Sequence, residues 1–390
     1  MKGPFNMHPI HVRSPLMVLA AGLFAVGCSA APADDSTSEA ESELVAGRAG
    51  AVYTLSNDPN SNDVIVFRRA ANGSLQRAAS YATTGKGSGD GLGSQGAVIL
   101  SGDRRWLFAV SAGSNELSVF QVRGEALYLV DTIATGGVRP VSVTEHEGLV
   151  YVVHAGDGQN NITGFRQRAD GSLAAIPGST RPLSGPSVGP AQIQFSPSGR
   201  ALIVTEKMTD RVDEFRVDAS GKPGTIMVHA SNGKTPFGFA ITQRGQVIVS
   251  EAVGGMDDAS TVSSYQLGVA KGLATVTSSL ADTEGAACWV VLAKRDRYAY
   301  VSNTKSGSIS TYAVAADGAL SLVDADGRSA DTGMGSKPLD MAVSRNDRFL
   351  YVLEGGTSSL GVLRIEASGA LTVLSDFTGL PATAAGLAAQ

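Results

Sequence analysis

The chain has 390 residues, 43% of them hydrophobic and only 6% aromatic, with 47 glycines and a formal net charge of −5. That charge lacks the basic footprint nucleic-acid binding needs and argues against a polyanionic partner. A core this poor in aromatics must pack through Val, Ile, Leu and Ala, in short strands joined by tight turns.

The first 27 residues read as an export signal rather than part of a fold. Lys2, His8, His11 and Arg13 form a basic-leaning start, and Leu16 to Val26 is an apolar run of eleven residues, too short to cross a bilayer of roughly 30 Å as a helix. It ends in Ala25-Val26-Gly27-Cys28, similar to a bacterial lipobox, which makes Cys28 the expected lipid attachment point and mature N-terminus. The other reading is a general secretory peptide cut near Ala31, with Cys28 discarded. Residues 28–49 carry Asp34, Asp35, Glu39, Glu41 and Glu43 in an Ala/Ser-rich stretch with too little apolar surface to fold, an acidic flexible tether. The remaining cysteine, Cys288, opens the apolar run CWVVLA and reads as a small buried hydrophobe.

From residue 50 the chain repeats itself seven times at spacings near those of propeller blades. An apolar run ends in one polar residue at Ser56, Ser111, His154, Glu206, Glu251, Asn303 and Glu354. A second run ends at Phe67, Phe120, Phe165, Phe215, Tyr265, Tyr312 and Leu363, and glycine turns such as NGSL and DGAL lead into a third. Short runs at 97–101, 142–146, 192–196, 239–243, 289–293 and 341–345 supply an innermost strand, most followed by polar hairpins such as GDRR, SPSGR, KRDR and RNDR. The expected fold is all-β, a seven-bladed β-propeller of four-stranded blades over residues 50–390. The first copy lacks an inner strand. Residues 379–390 resemble the other inner-strand entries and are expected to complete that blade and close the ring, leaving no open sheet edge.

The stretches GLGSQGAVILS, WLFAVSAGSNELSVF and CWVVLAKRDRYAYVSNTKSGSISTY resemble the propeller lactonase family of 6-phosphogluconolactonase-like and carboxymuconate-cyclase-like proteins. The resemblance covers 50–390. It implies opening or closing of small lactone rings by basic, His and Glu side chains at the mouth of the channel, without a metal. One departure stands out: where the family often carries Arg and His before the fourth hairpin, this chain has Gly189-Pro190-Ala191-Gln192.

In a propeller, the polar column and the loops entering the inner strands converge on one face. His154, Glu206, Glu251 and Arg139 are therefore the catalytic candidates, a general base with a cation for the developing oxyanion. Lys234, Asn303, Glu354 and Lys337 are the substrate-binding candidates, and Glu284 stands on another entry loop. The bland alternative is that polar strand ends cap turns, the favoured reading for Ser56, Ser111 and Asn303. Three carboxylates with Asn303 also suit a hard divalent cation, but no cofactor or metal is expected. Lys207 and Arg211 read as a solvated hairpin, and Gly85 to Gly91 as a flexible inter-blade loop without phosphate-loop spacing. Two functions follow: a lipid-anchored, exported lactonase-type hydrolase or cycloisomerase acting on a small lactone or sugar acid, or a non-catalytic cell-surface binding propeller for a protein or glycan. Either is expected as a monomer in the cell envelope (outer membrane or periplasmic face), touching the membrane only through its anchor.

Overall fold

A computed structural model describes residues 50–156, 158–268 and 272–390. The proposed leader and tether lie outside these residues. Seven antiparallel sheets follow one another along the chain, with a single-turn 3₁₀ helix at Val253–Gly255. Six sheets open with an inner strand: Val98–Leu100, Pro140–His146, Pro190–Phe195, Pro236–Ile241, Ala287–Ala293 and Pro338–Val343. Numbering blades in chain order, these begin blades 2 to 7. Blades 3 and 6 split their outer strand in two, which adds a fifth short segment to the four-strand plan.

Blade 1 is closed as expected. The C-terminal strand Ala385–Ala389 pairs antiparallel with Gly50–Leu55, which continues into Asp63–Arg69 and Leu75–Ala82. Thr54 donates its hydroxyl to the Gly386 carbonyl at 2.7 Å, and the Gln390 amide donates to Ala51. The inner strand begins at Ala385 rather than near Gly379, because the Ala384 amide is taken up in a turn onto the Pro381 carbonyl.

The second strands are buried along their whole length, as in Ala201–Glu206 and Phe349–Glu354. Neighbouring blades cover both faces, which is why these strands read as continuous apolar runs rather than alternating ones. Outer strands such as Pro223–Ala230 are largely exposed. Second-strand tyrosines lock blade to blade. The Tyr151, Tyr300 and Tyr351 hydroxyls donate to the carbonyls of Gly221, Gly369 and Gly73, at 2.6, 2.9 and 3.0 Å. Each acceptor is the turn glycine of the next blade, with φ of +82°, +87° and +91°, a conformation that glycine alone adopts cheaply.

The connectivity gives two unlike faces. Hairpins between first and second strands, and between third and fourth, share one face, hereafter the hairpin face. Loops entering the inner strands, and those after the second strands, share the other, the entry-loop face.

Candidate functional site

The polar column occupies the register the repeat implies: Pro140 opposite His154, Pro190 opposite Glu206, Pro236 opposite Glu251, Ala287 opposite Asn303 and Pro338 opposite Glu354. These side chains do not stand at an open mouth. His154, Glu206, Glu251 and Asn303 are 0% exposed and Glu354 only 3%. The Glu206 carboxylate accepts bonds from the Ser184 amide and hydroxyl and from Thr209. Glu251 accepts from Ser263 and from the Gly233 amide. Asn303 donates to Ser308 and Ser310, and Glu354 accepts from Ser359. His154 is covered by its own entry loop: a Cβ on Gly137 would lie 2.4 Å from its ring. Burial holds this imidazole down at about 4, so it is neutral. The expectation that His154, Glu206 and Glu251 face substrate at the mouth, with Asn303 and Glu354 beside them, is corrected accordingly. A strand end flanked by an entry loop is short of donors and acceptors, and these polar groups supply them.

Behind Glu206 lies a second buried acid, Asp213, also 0% exposed. Burial, with the Glu206 carboxylate next in effect, pushes its pKa up to about 9, so it is protonated at neutral pH. Other blades place Ser118, Ser263 and Ser310 at this third-strand position.

The cations behave differently. Arg139 is half-buried, while Lys234 and Lys337 are exposed. Arg139 and Lys337 have φ of +57° and +50°, and each immediately precedes the proline that opens an inner strand. Blade 4 has Gly189 at this position, with φ of +62°. Thr235 and Ala286 share it, with φ of +58° and +59°, so the conformation belongs to the repeat, at a cost on the order of 1 kcal/mol or more for each side chain.

Arg139 lies against a strap that crosses the mouth of the channel. The strap is the segment between Ala82 and Val98, of which Gly85 to Gly91 read from sequence as a flexible loop, and it is held at several points. The Asn57 amide donates to the Asp90 carbonyl and its oxygen accepts from the Ser88 amide. The Trp289 indole donates to the Ser94 carbonyl at 2.9 Å. Gln95 reaches across to blade 6, donating to Val290 O at 2.7 Å and accepting from Val290 N at 3.0 Å. Its amide thus substitutes for a missing strand at that open inner edge. Arg139 contacts Gly91 O at 3.5 Å, and the Lys207 ammonium donates to Gly93 O. Lys207 also lies 4.7 Å from the Phe237 ring centroid, and that ring packs on Trp289. Burial, helped by the charge of Arg139, lowers the Lys207 pKa to about 8. Cys288 is buried beneath, its thiol pushed up to about 11 and therefore unreactive.

Below the strap the channel holds a cavity of about 450 Å³, lined by Gln95, Thr144, Gln192 and Asp340 and opening past Gly102, Pro197 and Gln243 onto the hairpin face. Gln192, in the stretch that lacks the family's Arg and His, is occupied by Phe239: it donates to the carbonyl and accepts from the amide. Asp340 accepts from the Gly96 and Met341 amides, and burial pushes its carboxyl up to about 7. Among the described residues, no group of three or more His, Cys, Asp or Glu is arranged to hold a metal ion.

The family described as "Lactonase, 7-bladed beta-propeller" matches residues 60–181 and 173–288, more than half of the chain. The chain belongs to this family. Solved propellers share its fold. A putative 6-phosphogluconolactonase from Bacteroides fragilis is 19% identical over 88% of this chain and 98% of its own, with a TM-score of 0.67. The periplasmic gluconolactonase of Pseudomonas aeruginosa is 18% identical over 87% of this chain and 99% of its own, also at 0.67. A protein from Lactobacillus plantarum is 18% identical over 87% and 99%, at 0.69. No curated protein matches the sequence.

Of the lactonase-family candidates read from sequence, Arg139 lies against the strap, near Lys207 with its Phe237 and Trp289 neighbours. The missed signal was length: 15 residues separate Ala82 from Val98, where blades 2 and 3 are joined by five, residues 135–139.

Proposed function

We propose that this propeller is an exported, lipid-anchored hydrolase that opens a small lactone, or its sugar-acid relative, beneath the strap of the entry-loop face. The supporting observation is a desolvated lysine beside an arginine: Lys207, at about 8, next to Arg139. A base acts best when its pKa lies near the working pH. The neutral Lys207 amine takes a proton from water as the water oxygen adds to the lactone carbonyl, and Arg139 stabilises the oxyanion that forms. On collapse the ring C–O bond breaks, the ring oxygen takes the proton back from Lys207, and a hydroxy acid leaves. Phe237 and Trp289 supply an apolar wall for the ring carbons. Export through Cys28 is supported by the lipobox-like sequence and by the fold shared with a periplasmic gluconolactonase.

The test is a pH-stat assay of aldonolactones and muconolactones with wild type, Lys207→Met and Arg139→Gln. The expected result is turnover that rises with pH through about 8 and falls at least about a hundredfold in either variant. Turnover unaffected by both substitutions would refute the assignment. Labelling with palmitate, abolished by Cys28→Ser, checks the anchor separately. A second reading, a catalytically silent surface propeller binding a protein or glycan, draws support from the sealing of His154, Glu206 and Glu251 by their own loops. It predicts ligand-induced thermal stabilisation with no turnover of any lactone.

A further inference from the structure

The net charge of −5 conceals an uneven distribution. On the hairpin face a basin of about 1240 Å³ is lined by five cations, Arg104, Arg244, Lys294, Arg295 and Arg297, against two carboxylates, Asp296 and Asp347. Among the described residues none of the five has a carboxylate within 4.0 Å. Asp296 is engaged elsewhere, accepting from the Gln243 amide at 2.7 Å. Burial first, then the neighbouring Arg345, depress Arg104, with Asp347 offsetting them in part. The opposite face exposes both signs, Asp90 and Asp258 together with Lys86, Lys234 and Lys337.

Both ends of the propeller emerge beside this basin. Arg104 donates to the Ala389 carbonyl at 2.8 Å, and the Gln390 side chain donates to Gly124 in a hairpin of blade 2. Gly50 sits against Gln390. The polypeptide that leads back to Cys28 therefore joins the molecule on its basic face.

We propose that the hairpin face is a docking surface for anionic lipid headgroups, holding the propeller with its entry-loop face turned toward solvent. The proposal rests on the reading of Cys28 as the anchor, which brings the chain to a bilayer. Unpaired guanidinium groups over a broad basin suit a plane of many phosphates.

The experiment uses a chain truncated to begin at Ser29, which lacks the apolar leader and the lipid-bearing cysteine but keeps the whole propeller. Flotation with vesicles of phosphatidylglycerol mixed with phosphatidylcholine is compared with phosphatidylcholine alone, at low and high salt. Binding is expected to the anionic vesicles only and to disappear at high salt. The triple variant Arg244→Glu, Arg295→Glu, Arg297→Glu should bind at least about thirtyfold more weakly while melting at the wild-type temperature. Absence of binding to anionic vesicles, equal binding by the triple variant, or binding to a soluble acidic polysaccharide without any to vesicles would each overturn the proposal. Palmitate labelling of Cys28 is read separately, so loss of the anchor and loss of the docking face are told apart.

Discussion

Replacing Lys207 by Met tests whether its amine is desolvated beneath the strap. Its pKa falls from 10.5 to about 8, and each unit corresponds to about 1.4 kcal/mol, giving a penalty of about 3 kcal/mol for the charged form in the folded state. The side chain is only half-buried, so screening reduces this to about 2 kcal/mol. The sign follows from proton binding. Between pH 8 and 10.5 the unfolded chain holds a proton the folded chain has released, so wild-type stability rises with pH across that window. Below pH 8 the penalty is fully present, and Met, similar in length and uncharged, removes it. Contacts made equally by the neutral amine and by Met do not depend on pH. The stability difference between Lys207→Met and wild type should therefore change by about 2 kcal/mol between pH 7 and pH 10.5, in the direction that favours the variant at neutral pH. For a domain of this size that is a relative shift in melting temperature of about 3 °C. Thermal melts of both proteins across the range provide the assay. A difference that stays constant with pH would show that Lys207 is solvated, and the proposed base would be lost with it.

Other substitutions probe neighbouring parts of the argument. Asp213→Asn should stabilise the protein by about 3 kcal/mol at pH 7 and by nothing below pH 4, because the raised carboxyl loses its contribution as pH rises from 3.8 toward about 9; pH-dependent melts read this directly. His154, neutral in the fold because burial holds it at about 4, should make wild type lose stability as pH falls from 6.5 toward 4, and His154→Gln should flatten that limb in acid denaturation. Gly73→Ala places a Cβ 2.4 Å from Phe349 at a φ of +91°, so a loss of about 3 kcal/mol is expected in urea unfolding.

The sequence showed the ring more readily than the site. Second strands covered on both faces must be apolar along their length, so VYTLS, LIVTE and LYVLE announced themselves, and the need to satisfy an open edge pointed to the closing C-terminal segment. The polar column was equally visible, but its meaning depends on what lies on top of it. Gly137 over His154 and Gly233 against Glu251 are glycines in entry loops, and nothing in their spacing reveals that they seal the side chains beneath. The strap failed to show for a related reason. Its contacts to Val290, Trp289 and Lys207 run between residues far apart in the chain, and a Gly/Ser-rich composition looks the same whether the segment is solvated or pinned. Lys207 was legible as a residue after a strand end. Its burial was not, because the strap that covers it belongs to another blade.

The closing strand also sets the order of events during synthesis. Thr54 and Gly386 meet across 332 residues, so the second blade can pair its own strands early while the first waits, three-stranded, for the last residues of the chain. Until then the inner edge of Gly50–Leu55 is unpaired and open to a strand from any other molecule. Contacts of such long sequence separation form slowly. The slowest step in making this ring should be the return of its end to its beginning.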